Sequence, residues 1–456
     1  MSGSSDSMHA QGATSLPLYR TFWRWHFYAG LFVLPFVIVL ATSGTVFLFK
    51  PQIEHWEERA FRALPAQDAV QPSQQVQAAL AAFPGSHFHS YRLPAAAGDA
   101  AMVHLALSGS MAMRDVFVSP QGRVLGSFDT DRRITEVARR IHGQLLVGER
   151  GAWLVELAAC WAIVMLITGL FLWWPRGRGA AGVIWPRRRT LLRDLHAVTG
   201  FWISTLALVL LLTGLPWTNV WGNAFRAVRA QMGWVQGAPQ WNAGGHEGPT
   251  HDEHAAHDHN AMHAGAASGS LGALDAVVAK AASEKLAFPA MVLAPDAALF
   301  GVASPDWVAT SQTQNRPRGM SITYERFSGD EVSREAFSQR HPIDRVIGYG
   351  QAWHEGALFG AVNQAIGLLT AAALVTLAVT GFLMWRRRRP AGALGAPPLP
   401  GGRRRPPAVV IATLLLALVL PLLAASLLLL WLIDRLLPRV SPAAAAWLGL
   451  VTGRRA

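Results

Sequence analysis

Four histidines stand beside apolar stretches: His26, His142, His196 and His354. A neutral imidazole is a common metal ligand, and two of them can take both axial positions of one haem iron. Their spacing matches in pairs. Gly44 follows His26 by eighteen residues and Gly214 follows His196 by eighteen, each after a hydroxyl residue, Ser43 or Thr213. Gly30 and Gly200 stand four residues after the same histidines. In the second pair, Gly148 and Gly360 follow His142 and His354 by six residues. Thr168-Gly169 and Thr380-Gly381 follow at twenty-six and twenty-seven, and Trp173 and Trp385 at thirty-one. This is an internal duplication.

The elements that must position these residues are membrane helices. Hydrophobic residues make up 51% of the chain and charged residues 15%, a membrane rather than a soluble composition. Apolar runs of about twenty residues cross a hydrocarbon core of about 30 Å. They predict spans at 26–50, 148–175, 195–217, 357–386 and 408–434, the first read as an uncleaved segment. The net charge of +12 gathers in arginine clusters at 176–194 and 387–407, which the positive-inside rule places in the cytoplasm. The polar tail 1–25 is then cytoplasmic and expected to be without fixed structure at 1–19. Segments 51–147 and 218–356 are extracytoplasmic, the last span carries 435–456 outward, and Arg454 and Arg455 oppose that placement. The expected fold is a helical membrane bundle of five transmembrane helices with two extracytoplasmic α+β modules, duplicated as parallel repeats. In the first module the spacing predicts a helix near 73–83, then strands with a hairpin at Ser119-Pro120-Gln121-Gly122.

Parallel repeats put equivalent residues at equal depth. His26 would face His196 at the cytoplasmic boundary, and His142 would face His354 at the outer face. Arg24, Arg193, Arg139 and Arg140 would pair with haem propionates. Gly30, Gly44, Gly200 and Gly214 would admit a flat macrocycle or a neighbouring helix. Plainer readings stand beside this one. His26 fits an interfacial aromatic belt, His196 a polar helix end, His142 and His354 module surfaces, and the Thr-Gly pairs ordinary helix packing. Zinc would find only half a tetrahedral site at each level. A continuous helix from His142 into span two would hold the outer pair roughly 15 Å above the hydrocarbon, unless the chain bends at Gly148 to Gly151.

His246, His251, His254, His257, His259 and His263 lie in one tract with Asp252, Glu253 and Asp258, which suits either loose divalent-metal binding or a plain linker. Glu156, early in span two, reads as a snorkelling carboxylate or a proton-handling group. Trp173, Trp174 and Trp385 read as interfacial residues. The lone Cys160 excludes a disulfide and covalent haem attachment within the chain. The basic clusters are short and hug the membrane, which argues against nucleic acid. No nucleotide-binding glycine motif is present, and the arginine loops are too short for a flavin or nicotinamide domain.

The segments from Trp25-His26-Phe27-Tyr28-Ala29-Gly30-Leu31 to Thr42-Ser43-Gly44, Leu195-His196-Ala197-Val198-Thr199-Gly200-Phe201, His142-Gly143-Gln144-Leu145-Leu146-Val147-Gly148 and Thr380-Gly381-Phe382-Leu383-Met384-Trp385-Arg386 resemble the PepSY-associated transmembrane family. Its members are called iron-regulated membrane proteins, and some are ferric-siderophore reductases of the bacterial inner membrane. The resemblance covers about 20–390. It implies two b-type haems ligated by the four matching histidines, and PepSY-like outer modules. The resulting expectation is a haem-dependent oxidoreductase of the bacterial inner membrane. It would pass electrons from quinol or a cytoplasmic reductase to a periplasmic ferric siderophore or similar ferric chelate. No side chain is assigned a catalytic role. The alternatives are a non-enzymatic membrane accessory or sensor, and a metal-uptake transporter collecting ions on the histidine tract.

Overall fold

The computed structural model describes residues 5–108, 112–174, 183–187, 190–234, 271–299, 302–399 and 407–451. The histidine tract at 246–263 and Arg403 to Arg405, Arg454 and Arg455 lie outside the described residues. The helices in chain order are α1 (Ser5–Leu48), α2 (Lys50–Glu57), α3 (Pro72–Ala82), α4 (Ile134–Gln144), α5 (Glu149–Trp173), α6 (Leu191–Gly214), α7 (Val220–Gln231), α8 (Leu274–Ser283), α9 (Pro342–His354), α10 (Ala361–Arg388), α11 (Pro407–Val419), α12 (Pro421–Val440) and α13 (Pro442–Trp447). The strands are β1 (His87–Arg92), β2 (Ala101–Ala106), β3 (Met113–Val118), β4 (Val124–Asp129), β5 (Ala290–Leu293), β6 (Ala298–Leu299), β7 (Val302–Ala303), β8 (Trp307–Ser311), β9 (Met320–Tyr324) and β10 (Glu331–Ala336). The chain divides into a helical unit (Met1–Thr45, Ile141–Phe225, Ile366–Ala456) and a sheet unit (Val46–Arg140, Arg226–Ala365).

Five helices are long and apolar enough to cross a membrane: Leu18–Leu48, Glu149–Trp173, Leu191–Trp217, Ala361–Arg388 and Pro421–Val440. Large apolar side chains such as Leu368, Leu369, Leu428 and Leu429 are exposed on them, as hydrocarbon contact requires. The protein is a multi-pass membrane protein. Helix α1 begins at Ser5, so much of the expected unstructured tail is continuous with the first span.

The expected single span over 408–434 is two helices. Leu420 leaves helical geometry (φ −119°, ψ 88°) and Pro421 opens α12, a position where its missing N–H costs nothing. Leu420 and Leu423 pack with Cys160 and with Leu215, just beyond the far end of α6 from His196. Trp161 Nε1 donates to Ser426 Oγ at 3.2 Å. The chain then returns to the Arg24 end. Tyr28 donates to the Leu448 carbonyl at 2.6 Å, Arg24 to those of Gly449 at 3.1 Å and Pro397 at 2.5 Å, and the Leu394 amide to that of Trp447 at 2.9 Å. So α11 leaves from, and α12 comes back to, the face that carries Arg24. The expectation that residues after this segment lie on the opposite face is corrected.

In the sheet unit the two segments that follow the first and third spans form one eight-stranded antiparallel sheet, ordered β10-β9-β8-β5-β1-β2-β3-β4. Each segment contributes a helix and a four-stranded meander, and the meanders join where β1 pairs with β5. β6 and β7 form a small separate hairpin. One core of Val76, Val103, Leu105, Val116, Leu274, Val277, Trp307 and Ile322, all almost fully buried, runs under both meanders, covered by α3 and α8. Asp275 of α8 accepts from the Ser73 amide at 2.7 Å and from its hydroxyl at 2.6 Å, capping the first turn of α3 across the join. The predicted helix near 73–83 and the β3–β4 hairpin are present. Gly122 takes φ 79° in that turn, and its amide donates to the Ser119 carbonyl at 2.9 Å.

A buried charge network ties α2 to the sheet. Arg92 grips Glu58 through two bonds of 3.0 and 2.7 Å. Arg133 donates to Glu58 at 2.7 Å and to Asp115 at 3.2 Å, and His104 Nδ1 lies 2.8 Å from Asp115. Burial alone would raise the Asp115 carboxyl, but His104, Arg133 and the Thr130 hydroxyl together hold it well below its usual range. His89 is lowered to about 4 by burial, with the neighbouring His104 adding to the effect.

Candidate functional site

In the helical unit, His26 on α1 and His196 on α6 meet with ring centres 6.3 Å apart and planes at 84°. Each ring is docked through Nδ1. For His26, Nδ1 is 3.0 Å from the Met165 carbonyl and 3.3 Å from Thr168 Oγ1, both on α5. For His196, Nδ1 is 3.0 Å from Thr380 Oγ1 on α10. A carbonyl only accepts, so His26 carries its proton on Nδ1. The threonine hydroxyls agree. Thr168 donates to Val164 at 2.8 Å and Thr380 to Thr376 at 2.6 Å, four residues back in their own helices. Each hydroxyl hydrogen is thereby spent, leaving the oxygen to accept from an imidazole. In the neutral ring Nε2 then bears the lone pair, the form in which histidine ligates metals.

His142 repeats this arrangement on α4. Its Nδ1 is 2.9 Å from the Leu40 carbonyl and 3.3 Å from Ser43 Oγ on α1, and Ser43 donates to Val39 at 2.7 Å. All three histidines rest on a glycine. A Cβ on Gly169 would lie 3.0 Å from His26 Cε1, one on Gly44 2.9 Å from His142 Cε1, and one on Gly381 3.4 Å from His196 Cε1. Three of the hydroxyl-Gly pairs, Ser43-Gly44, Thr168-Gly169 and Thr380-Gly381, are therefore imidazole seats, a hydrogen-bond acceptor followed by a notch. The expected role for Gly44 as clearance for a macrocycle or helix is revised accordingly. Gly30 and Gly200 face Met165 Sδ at 3.7 Å and Leu377 Cδ2 at 3.6 Å, ordinary helix contacts.

His142 does not stand on an extension of α5. Leu145, Leu146 and Gly148 all take positive φ (52°, 59° and 66°), and this break separates α4 from α5. His142 instead lies beside α1 at the level of Leu40 to Gly44. The rise from His26 to that level is about 21–27 Å along α1. His354 closes α9 in the sheet unit.

Of the four arginines expected near propionates, Arg24 and Arg139 have partners within the chain. Arg24 is buried and spent on the Pro397 and Gly449 carbonyls and Tyr28. Arg139 pairs with Glu136 at 2.5 Å, and Arg193 is exposed beside buried Asp194, which binds Arg187 at 2.7 Å. Glu156 neither snorkels nor faces water: it is fully buried and accepts from the Val220 and Trp221 amides at 2.8 and 2.9 Å, capping α7. Trp173 and Trp385 hold the loops that follow them, donating to the Val183 and Leu394 carbonyls at 3.0 and 2.9 Å. Among the described residues no cluster of three or more His, Cys, Asp or Glu side chains suits a metal ion held by protein alone.

Sequence spacing marked the hydroxyl-Gly pairs but not their partners. The signal was their recurrence at Ser43, Thr168, Thr213 and Thr380, one pair late in each of the first four spans. A comparison with curated proteins finds no match. The family profile described as the PepSY-associated TM region matches residues 23–388, most of the chain and all four histidines. The chain therefore belongs to the PepSY-associated transmembrane family.

Proposed function

We propose that this protein is a di-haem reductase of the bacterial inner membrane, with its N-terminus cytoplasmic, acting on a periplasmic ferric siderophore or similar ferric chelate. The observation that carries the reading is the His26–His196 pair. With a metal–nitrogen bond of about 2 Å and about 1.1 Å from nitrogen to ring centre, two imidazoles on one iron have centres about 6 Å apart. The separation of 6.3 Å fits that span. Two ligands suit a haem, whose macrocycle supplies the other four, and do not suit a bare tetrahedral ion. Haem would supply reversible one-electron chemistry at iron.

The chain's own residues would hold and orient it. Thr168, the Met165 carbonyl and Thr380 fix the tautomer and ring directions, and partners of this kind raise ligand basicity. The second haem, on His142 with His354, rests on the duplication and on the matching seat of His142. Reduction of a ferric chelate would loosen its hold on the metal, which gives a membrane reductase facing such a ligand its use. Quinol or a separate cytoplasmic reductase would be the electron donor.

The test is the reduced-minus-oxidised visible spectrum of the purified protein, followed by stopped-flow mixing of the reduced protein with ferric citrate. Two b-type haems per chain, reoxidised by the chelate, are expected. A colourless protein, or haems inert to ferric chelates, would refute the reading.

A further inference from the structure

We propose that a groove in the sheet unit, between β9, the 316–318 turn and α9, binds an anionic ferric chelate of the catecholate type. The proposal rests on the reductase reading and names where its substrate would dock. The groove encloses about 450 Å³ and is lined by Arg318, Met320, Phe337, Arg345 and Tyr349 among others. That volume lies within the range of about 300–1,000 Å³ usual for small-ligand sites.

The charge balance favours an anion. Arg318 and Arg345 are exposed, and neither pairs with a carboxylate among the described residues; Arg345 reaches only the Ser338 carbonyl, at 3.4 Å. The surrounding acids are already matched. Glu335 binds Arg340 at 3.0 Å, Asp344 binds Arg229 at 2.5 Å, and Glu284 and Glu331 share Arg334 at 2.7 and 2.8 Å. Two unmatched guanidinium groups present planar donors to anionic oxygens.

The aromatic lining favours a ligand with flat rings. Tyr349 is half exposed and meets buried Phe337 edge to face, with ring centres 5.4 Å apart. The contact depends on Gly348, where a Cβ would stand 2.5 Å from Phe337 Cε2. Arg345 and Tyr349 lie one turn apart on α9 and share a face. His354 ends the same helix. It stands five residues beyond Tyr349, about 7.5 Å of rise. A chelate in the groove would thus sit against the helix that carries a proposed outer haem ligand.

The test uses the full-length protein in detergent and the gallium(III) tris-catecholate complex, which is trianionic and not reducible under the conditions of the assay. Calorimetry should show saturable binding, weakened about tenfold by Arg318→Gln or Arg345→Gln and further by both. Tyr349→Ala should weaken it several-fold. A cationic gallium hydroxamate should show no dependence on the arginines. Both arginines are on the surface, and size-exclusion and circular dichroism would verify that the variants fold. No binding to the wild type, or equal binding to the double variant, would overturn the groove assignment. Arginine-dependent binding by a protein without haem would keep the groove and sink the reductase reading. Haems that reduce ferric catecholate with equal gallium binding in the double variant would do the reverse.

Discussion

An alanine methyl at Gly169 would crowd His26, whose Cε1 is 3.0 Å from where it would sit, and at Gly44 the His142 ring is 2.9 Å away. Alanine is the better helix former by about 1 kcal/mol, so neither substitution should harm the helix itself. The imidazole must yield instead. Gly169→Ala and Gly44→Ala are each expected to cost one haem per chain, read by the pyridine haemochromogen assay, with helicity unchanged. Gly381→Ala, at 3.4 Å from His196 Cε1, should be milder. Full haem content in Gly169→Ala would show that the seat does not matter. The four histidines and the glycines were legible in the sequence, because the same residue types recur at fixed offsets. Their partners were not. Along the chain Thr168-Gly169 follows His142, yet in space it holds His26. Which helix lies beside which is set by packing, and no local spacing encodes it.

Among the elements, the link from α5 to α7 shows the same limit. A glutamate in an apolar run reads as a carboxylate seeking water, yet Glu156 finds two backbone amides orphaned at a helix start. Glu156→Ala should cost about 1–3 kcal/mol, seen as a lower melting temperature with haem content intact. An unchanged melting temperature would deny it that role. In the sheet unit, the depressed Asp115 carboxyl contributes stability at pH values above its unfolded value near 4. That contribution is lost as pH falls through the folded value. Limited proteolysis of the sheet unit should accelerate below about pH 4, with a shallower pH dependence in Asp115→Asn. Identical profiles would exclude Asp115 as a source of the acid sensitivity. The alternation around 102–118 announced strands, but the joining of β1 to β5 is a contact between residues about two hundred apart, with nothing local to mark it.

Across the whole molecule, the apolar length at 408–434 suggested one more crossing, since composition counts residues and is blind to a turn at Leu420. The bonds from Arg24 and Tyr28 to Gly449 and Leu448 bring the chain back instead. Reporters fused after residue 451 and ahead of Arg20 should read the same side of the membrane. Opposite sides would restore a single crossing. In this arrangement Leu420 and Leu423 of the α11–α12 hairpin pack on Cys160, Ile163 and Val164 of α5.

The most direct test is haem content in His26→Ala, His196→Ala and the double variant, measured against the unsubstituted protein. If both imidazoles ligate one iron, each single change and the double change remove the same haem, leaving one of two. Full retention in either single variant, or a double variant that loses twice what each single loses, would contradict the pairing.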